Sequence, residues 1–143
     1  MKIAIGADHA GYGLKKKVIE RLLDEGFEVF DKGTHSEASM DYPDVAHPVA
    51  DLVENKQAQF GILICGSANG VAITANKHAG IRAAITWLPE LAALARQHND
   101  ANIIAIPARF VSESDALEMV RVFLSTDFEG GRHQNRVNKM AHC

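Results

Sequence analysis

The chain reads as an α/β protein, a five-stranded parallel sheet with helices on both faces. Three observations predict it. Short apolar runs alternate with amphipathic stretches five times along 143 residues. The stretches between the runs are long enough for the helical crossovers that parallel strands require. Polar loops with Gly, Asn, Asp or Pro follow the runs, as at the carboxyl ends of such strands.

Each element has its own warrant. Lys2 to Gly6 is an apolar run closed by glycine. From Gly11 to Glu25, Leu14, Val18 and Leu22 recur at helical spacing beside Ile19 and Leu23, and Gly26 is placed to stop the helix. Phe27 to Asp31 alternates as a strand does, and Lys32 to Asp41 is polar and loop-like. A second helix begins at Tyr42-Pro43 and runs through Leu52-Val53; Pro48 inside it predicts a kink or a late start. Phe60 to Ile64 is the third strand, and Asn69 to His78 a short helix. Gly80 to Thr86 is the fourth strand, Pro89 to His98 a helix, and Ile103 to Ile106 the fifth strand. Ser112 caps a helix to Leu124. Residues 127–143 form a polar C-terminal segment, partly helical, within one domain spanning 1–143.

Composition narrows the function classes. Hydrophobic residues are 47% and charged residues 23%, with a net charge of -3. That balance predicts neither a nucleic-acid nor a membrane partner. No apolar run reaches transmembrane length, and the first residues carry no signal-peptide apolar region. Cys65 and Cys143 do not form a disulfide framework, which fits a reducing, cytoplasmic setting.

The chemistry concentrates at the loops after the strands. Ile62 to Asn76 runs from a buried strand into Cys65-Gly66-Ser67-Ala68-Asn69-Gly70 and then a helix start. Such a turn points amide groups at an anion and carries a thiol and a hydroxyl. A phosphatase loop needs Arg six residues after the cysteine, and position 71 is Val71. A structural buried cysteine is the plain alternative. Gly6 to Gly11 lacks the Lys and Ser/Thr of a phosphate loop and the glycine spacing of a dinucleotide fingerprint, although Asp31 ends the second strand as a ribose-binding acid does. Asp8 and His9 are either a polar pair at the sheet mouth or a helix cap and its neighbour.

Two further clusters stand out. Arg96-Gln97-His98-Asn99-Asp100-Ala101-Asn102 supplies a candidate acid–base at His98, or a cation-rich helix end. Glu129 to Arg136 puts Arg132 and Arg136 four apart, on one helical face, with His133 between them. Two guanidinium forks suit a phosphate dianion; the bland alternative is a solvated basic tail. His35, His47, His78 and His142 show no metal-ligand spacing and are expected to be surface or local-structure residues.

Taken together, these motifs resemble the type B ribose-5-phosphate isomerases, which are grouped with the galactose-6-phosphate isomerase subunits. The carriers are Gly6-Ala7-Asp8-His9-Ala10-Gly11, Asp41-Tyr42-Pro43, Cys65-Gly66-Ser67 through Gly70, Ala75-Asn76-Lys77 with Gly80-Ile81-Arg82-Ala83, Arg96 to Asp100 with Asn102, and Gly130 to Arg136. The resemblance implies a three-layer Rossmann-like fold and interconversion of D-ribose 5-phosphate and D-ribulose 5-phosphate, with no metal and no cofactor. It implies a homodimer or a dimer of dimers with shared active sites. It assigns Cys65 as base and Ser67 as its assistant, and gives the Gly66, Ala68, Asn69 and Gly70 loop to the enediolate oxygen. By the same resemblance Asp8 and His98 would open the sugar ring, with Asn99 nearby and His98 from the other subunit. His9, Arg132 and Arg136, with His133 and Arg109, bind phosphate. Isomerisation of a six-carbon sugar phosphate and a non-catalytic phosphosugar-binding module are the rival readings. Many relatives have glycine where this chain has Ala68, so φ below zero is expected there. Others carry a loop carboxylate in place of the thiol; Val71 and Ala72 offer none.

Overall fold

The structure is a computed structural model and describes residues 1–141. The strands are β1 (Lys2–Ala7), β2 (Glu28–Asp31), β3 (Phe60–Cys65), β4 (Ala83–Ile85) and β5 (Ile103–Pro107). The helices are α1 (Tyr12–Asp24), α2 (Pro43–Glu54), α3 (Asn69–Ala75), α4 (Pro89–Asn99), α5 (Glu113–Ser125) and α6 (Arg132–Met140). The expected alternation is present, and all four strand pairings are parallel, in the order β2-β1-β3-β5-β4. Position 142 and the expectation for Cys143 lie outside the described residues.

Strand periodicity splits the core into two layers. Ile3, Ile5, Ile62, Ile64, Ile104 and Ile106 pack with α1, α4 and α5. Ala4, Leu63, Cys65, Ile103 and Ala105 pack with α2 and α3 on the other face. Side chains alternate because successive strand residues point to opposite faces. Both faces are covered, so the central strands are apolar at nearly every position. Each buried Ile or Leu contributes roughly 1.5–3 kcal/mol, so the central strands fix the frame on which the loops sit.

The boundaries differ from expectation in ways that move chemistry. β3 runs on to Cys65 and β5 to Pro107 because Cys65 and Pro107 still pair across the sheet. β4 is shorter than the apolar run suggested, since the Asn76 side chain closes its start through Ala83 N and O. α3 ends at Ala75, not His78. α2 is one helix from Pro43 with Pro48 inside it, so the late start is not what the chain adopts.

β1 goes to β2 on one side and β3 lies on the other, so the chain changes direction between β1 and β3. Open α/β sheets place their ligands outside the carboxyl ends at such a point. The Asp8 amide donates to the Ile64 carbonyl at 3.1 Å. A Cβ at Gly11 would sit 2.6 Å from the Ile64 methyl and 2.8 Å from its carbonyl oxygen, so only glycine lets the β1 exit loop lie on β3. The Asp8–His9 loop and the Cys65 loop are therefore neighbours.

Candidate active site

The carboxyl-edge group is built mostly from backbone. Cys65 ends β3 with 5% of its surface exposed. The Ala108 and Arg109 amides donate to the Cys65 and Gly66 carbonyls at 2.9 and 3.1 Å, tying the next loop over to it. A Cβ at Gly66 would come within 3.1 Å of the Arg109 Nη1, so the Arg109 side chain lies along the turn. Ser67 and Asn69 are exposed, and the Ser67 hydroxyl accepts weakly from the Asn69 amide and side chain. Asp8 is buried, and its Oδ1 accepts from the Ala10 and Gly11 amides at 3.0 and 3.1 Å. The cap reading of Asp8 is therefore present in the structure, and both cap bonds use Oδ1. His9 Nδ1 is buried without a hydrogen-bond partner among the described residues. An unpaired buried polar atom costs about 1–3 kcal/mol and needs an explanation.

Ala68 overturns its expectation. It is fully buried with φ 66°, ψ -6°, in the left-handed region, as the residue before α3. An L side chain there costs on the order of 1–2 kcal/mol relative to an unstrained conformation. The surroundings hold it: Ala72 N donates to the Ala68 carbonyl at 3.1 Å, and the side chain belongs to the α2–α3 core. The sharp turn that glycine makes easily is thus kept with alanine.

The second group stands at the other end of the sheet. α4 runs back against the strands and delivers His98 and Asn99 just before β5. There the Gly61 amide donates to the Asn102 carbonyl, at the start of β3. Gly61 to Cys65 is four residues of strand, about 13 Å of rise. His98 and Asn99 therefore do not meet the Cys65 of their own chain.

α6 joins this second group. Gly130 and Gly131 take φ of 67° and 53° and reverse the chain after Glu129. α6 buries His133 and Val137 and leaves Arg132 and Arg136 exposed together, as the spacing predicted. The His133 ring stacks on His98 at 4.2 Å and 12°. Burial lowers the His133 pKa, and the neighbouring His98 and Arg132 lower it further. Glu129 Oε1 stands 3.8 Å from His98 Nε2, and the Glu129 amide donates to the Gln97 carbonyl. Arg96 holds the turn from inside, bonding Asp100 Oδ1, the Ala101 carbonyl and the Thr126 carbonyl while stacked on Phe60.

Three placements went unread in the sequence. The Tyr42 ring covers Gly70 so closely that a Cβ there would overlap it; only the Asp41-Tyr42-Pro43 motif hinted at this. Asp31 is engaged by the buried Lys15 at 2.6 Å and by the Gly33 amide, which leaves no ribose-binding acid. His78 meets His47 and the carboxylates of Asp51 and Glu54, a cluster that the expectation of surface or local-structure residues did not specify.

A groove of about 520 Å³ runs along α3 and β4, lined by Ala72, Ile73, Asn76, Lys77, Ala83 and Ile85. Ile73, Trp87, Leu88 and Phe110 expose 47–74% of their area, on α3 and on the loops after β4 and β5.

A thiol at a strand end, an amide turn and a basic helix define an α/β enzyme suited to proton transfer on a small anion. A family model described as Ribose/Galactose Isomerase matches residues 3–140. The chain belongs to that family. It is 47% identical over 136 residues to "Ribose-5-phosphate isomerase B" of Escherichia coli, covering 95% of this chain and 91% of that one. It matches a crystal structure of a ribose 5-phosphate isomerase from Thermotoga maritima with a TM-score of 0.97 and 48% identity, covering 99% and 98%. It also matches ribose-5-phosphate isomerase B from Mycoplasma genitalium with bound ribulose-5-phosphate, with a TM-score of 0.94, 45% identity and coverage of 98% and 93%.

Proposed function

We propose that the chain interconverts D-ribose 5-phosphate and D-ribulose 5-phosphate as an aldose–ketose isomerase acting in the cytoplasm. The observation that carries the reading is the close relative with ribulose-5-phosphate bound, 45% identical over nearly the whole chain. Three tasks must be met. The furanose must open, a C2 proton must leave, and the resulting enediolate must be held until C1 is protonated.

The Cys65 thiolate takes the C2 proton of the open-chain aldehyde and returns it to C1. Ser67 shuttles the proton between the two oxygens. A positioned base contributes roughly 10²–10⁴-fold. Among the described residues, no turn or loop bond to another backbone group uses the Gly66, Ser67 or Ala68 amide; on this reading they face the enediolate oxygen together with Asn69 and Gly70. One such donor supplies about 10²–10³-fold. The left-handed Ala68 ahead of α3 supports this role, because such a turn can form a concavity of amides that suits an anion. Asp8 and His98 move the protons of ring opening, with Asn99 beside them. His9, Arg109, Arg132, His133 and Arg136 hold the phosphate, whose binding energy fixes C2 against the thiol.

The roughly 13 Å of strand separating the two groups within one chain supports a homodimer in which His98, Asn99 and α6 of one copy complete the Cys65 group of the other. The exposed Trp87, Phe110 and Ile73 supply apolar area for such a contact. A kinetic comparison of ribose 5-phosphate with allose and galactose 6-phosphates tests the substrate. Turnover of ribose 5-phosphate at least tenfold more efficient than of either hexose is expected. A hexose phosphate handled equally well overturns the assignment.

A further inference from the structure

Away from the proposed chemistry, three side chains of α2 converge on one histidine. His47, Asp51 and Glu54 are spaced i, i+4 and i+7, so they share a helical stripe. His78, in the turn between α3 and β4, stands at its centre. Its Nδ1 lies 3.4 Å from Asp51 Oδ1 and 3.3 Å from Glu54 Oε2, and its Nε2 lies 2.7 Å from His47 Nδ1. The Gly80 amide donates to Glu54 Oε1 at 2.7 Å, fixing that carboxylate while leaving Oε2 turned to His78. That bond holds the Glu54 carboxyl below the usual carboxylate range against its partial burial, and His78 adds to it.

We propose that His78, Asp51 and Glu54 form a binding site for a divalent transition metal of the zinc class, with His47 in its outer shell. One Nδ1 hydrogen cannot bond two carboxylate oxygens well, whereas a dication satisfies all three groups. Ligand atoms at 2.0–2.1 Å from zinc lie roughly 3.3–3.4 Å apart in a tetrahedron, which is the spacing of Nδ1 to each oxygen here. With the metal on Nδ1, the Nε2 hydrogen of His78 donates to His47 Nδ1, the outer partner that a metal-bound imidazole requires. The Asp51 side chain is 60% exposed and that of His78 15%, so the ion enters from the Asp51 side, where a water takes the fourth position.

The second His/carboxylate group, His98, Glu129 and His133, is a poorer site despite its similar composition. Its rings are stacked nearly parallel at 4.2 Å and 12°, so the two ring planes meet only far beyond bonding distance and one ion cannot use both lone pairs.

The site would brace the structure. The turn holding His78 and Gly80 also carries Arg82, whose guanidinium bonds the Asn99 and Asp100 carbonyls, and Asn102 bonds Gly80 and Arg82 in return. A metal at His78 thus pins α2 to the segment that delivers His98.

Calorimetric titration of the purified, metal-stripped protein with Zn²⁺ tests the site. One ion per chain with micromolar affinity is expected, together with a rise in thermal midpoint. Asp51→Asn, a surface change, is expected to weaken binding at least tenfold, and His78→Ala to remove it. His98→Asn is expected to keep it. Absence of binding below 100 µM overturns the proposal and leaves an ordinary ion-pair cluster. Binding kept in Asp51→Asn and His78→Ala but lost in His98→Asn also overturns it, placing the ion at the stacked pair.

Discussion

The two halves of the proposed site are built by different means. At the carboxyl edge, Cys65, Gly66 and Ala68 are buried and set by sheet pairing and by turn amides. At the amino edge, His98 is 39% exposed in its side chain, Glu129 is 50% exposed, and Arg132 and Arg136 stand free on α6. On the proposed reading the reacting carbon meets the rigid half, where a small misplacement costs most. On that reading the adaptable half adds His98 to ring opening and Arg132, His133 and Arg136 to the phosphate, beside Asp8, His9 and Arg109 at the carboxyl edge. In one chain the halves face different ends of the sheet, and their separation is the main lesson of the fold.

The largest effect tests that separation. Cys65→Ala and His98→Asn are each expected to lower kcat by roughly 10³-fold or more and by about 10–10³-fold respectively. Mixed and reassembled, the two inactive variants are expected to regain about a quarter of wild-type activity, since half the dimers are mixed and each has one intact site of two. No recovery on verified subunit exchange would mean that both residues serve the same chain, and the comparison above would fail.

A smaller effect probes the adaptable half alone. Arg136→Ala removes one charge-assisted fork from the phosphate, which is worth about 1.5–3 kcal/mol. Steady-state kinetics should show kcat/KM falling roughly 10–100-fold, mostly through KM. A loss confined to kcat would instead put Arg136 at the reacting carbon.

The sheet and its helices were legible because apolar periodicity is local and repeats at every element. The site was legible only as pieces. Nothing in the run Arg96 to Asn102 says which end of the sheet it occupies; that follows from α4 running against its strands. The His78 hub was invisible because its partners lie 24–31 residues away. Ala68 was misread because alanine alone predicts negative φ, while the positive value is imposed by the α2–α3 core around it.

That misreading gives the third test, on the rigid half. Ala68→Gly relieves the left-handed backbone by about 1–2 kcal/mol and returns roughly 0.4–1 kcal/mol through a more flexible unfolded chain. The expected net gain is about 0.5–1 kcal/mol, seen as a higher denaturant midpoint. A loss of stability would mean that the buried methyl matters more than the turn. Ala68→Val should destabilise, because a branched side chain fits neither the φ nor the packed space.

The smallest effect belongs to the adaptable half and is one of pH. Burial and its cationic neighbours depress the folded-state pKa of His133 below the ordinary value of 6.5. The unfolded chain therefore takes up the proton first as pH falls, and ν_U exceeds ν_N across that window. The stability due to this neutral histidine is fully present above about pH 6.5 and is lost as pH falls through the lower, folded value. The unfolding midpoint of wild type should thus drop between pH 7.5 and 5.5 more steeply than that of His133→Gln. Equal slopes would show that His133 titrates as freely folded as unfolded, and that its stacked contact with His98 is too loose to hold the adaptable half in register.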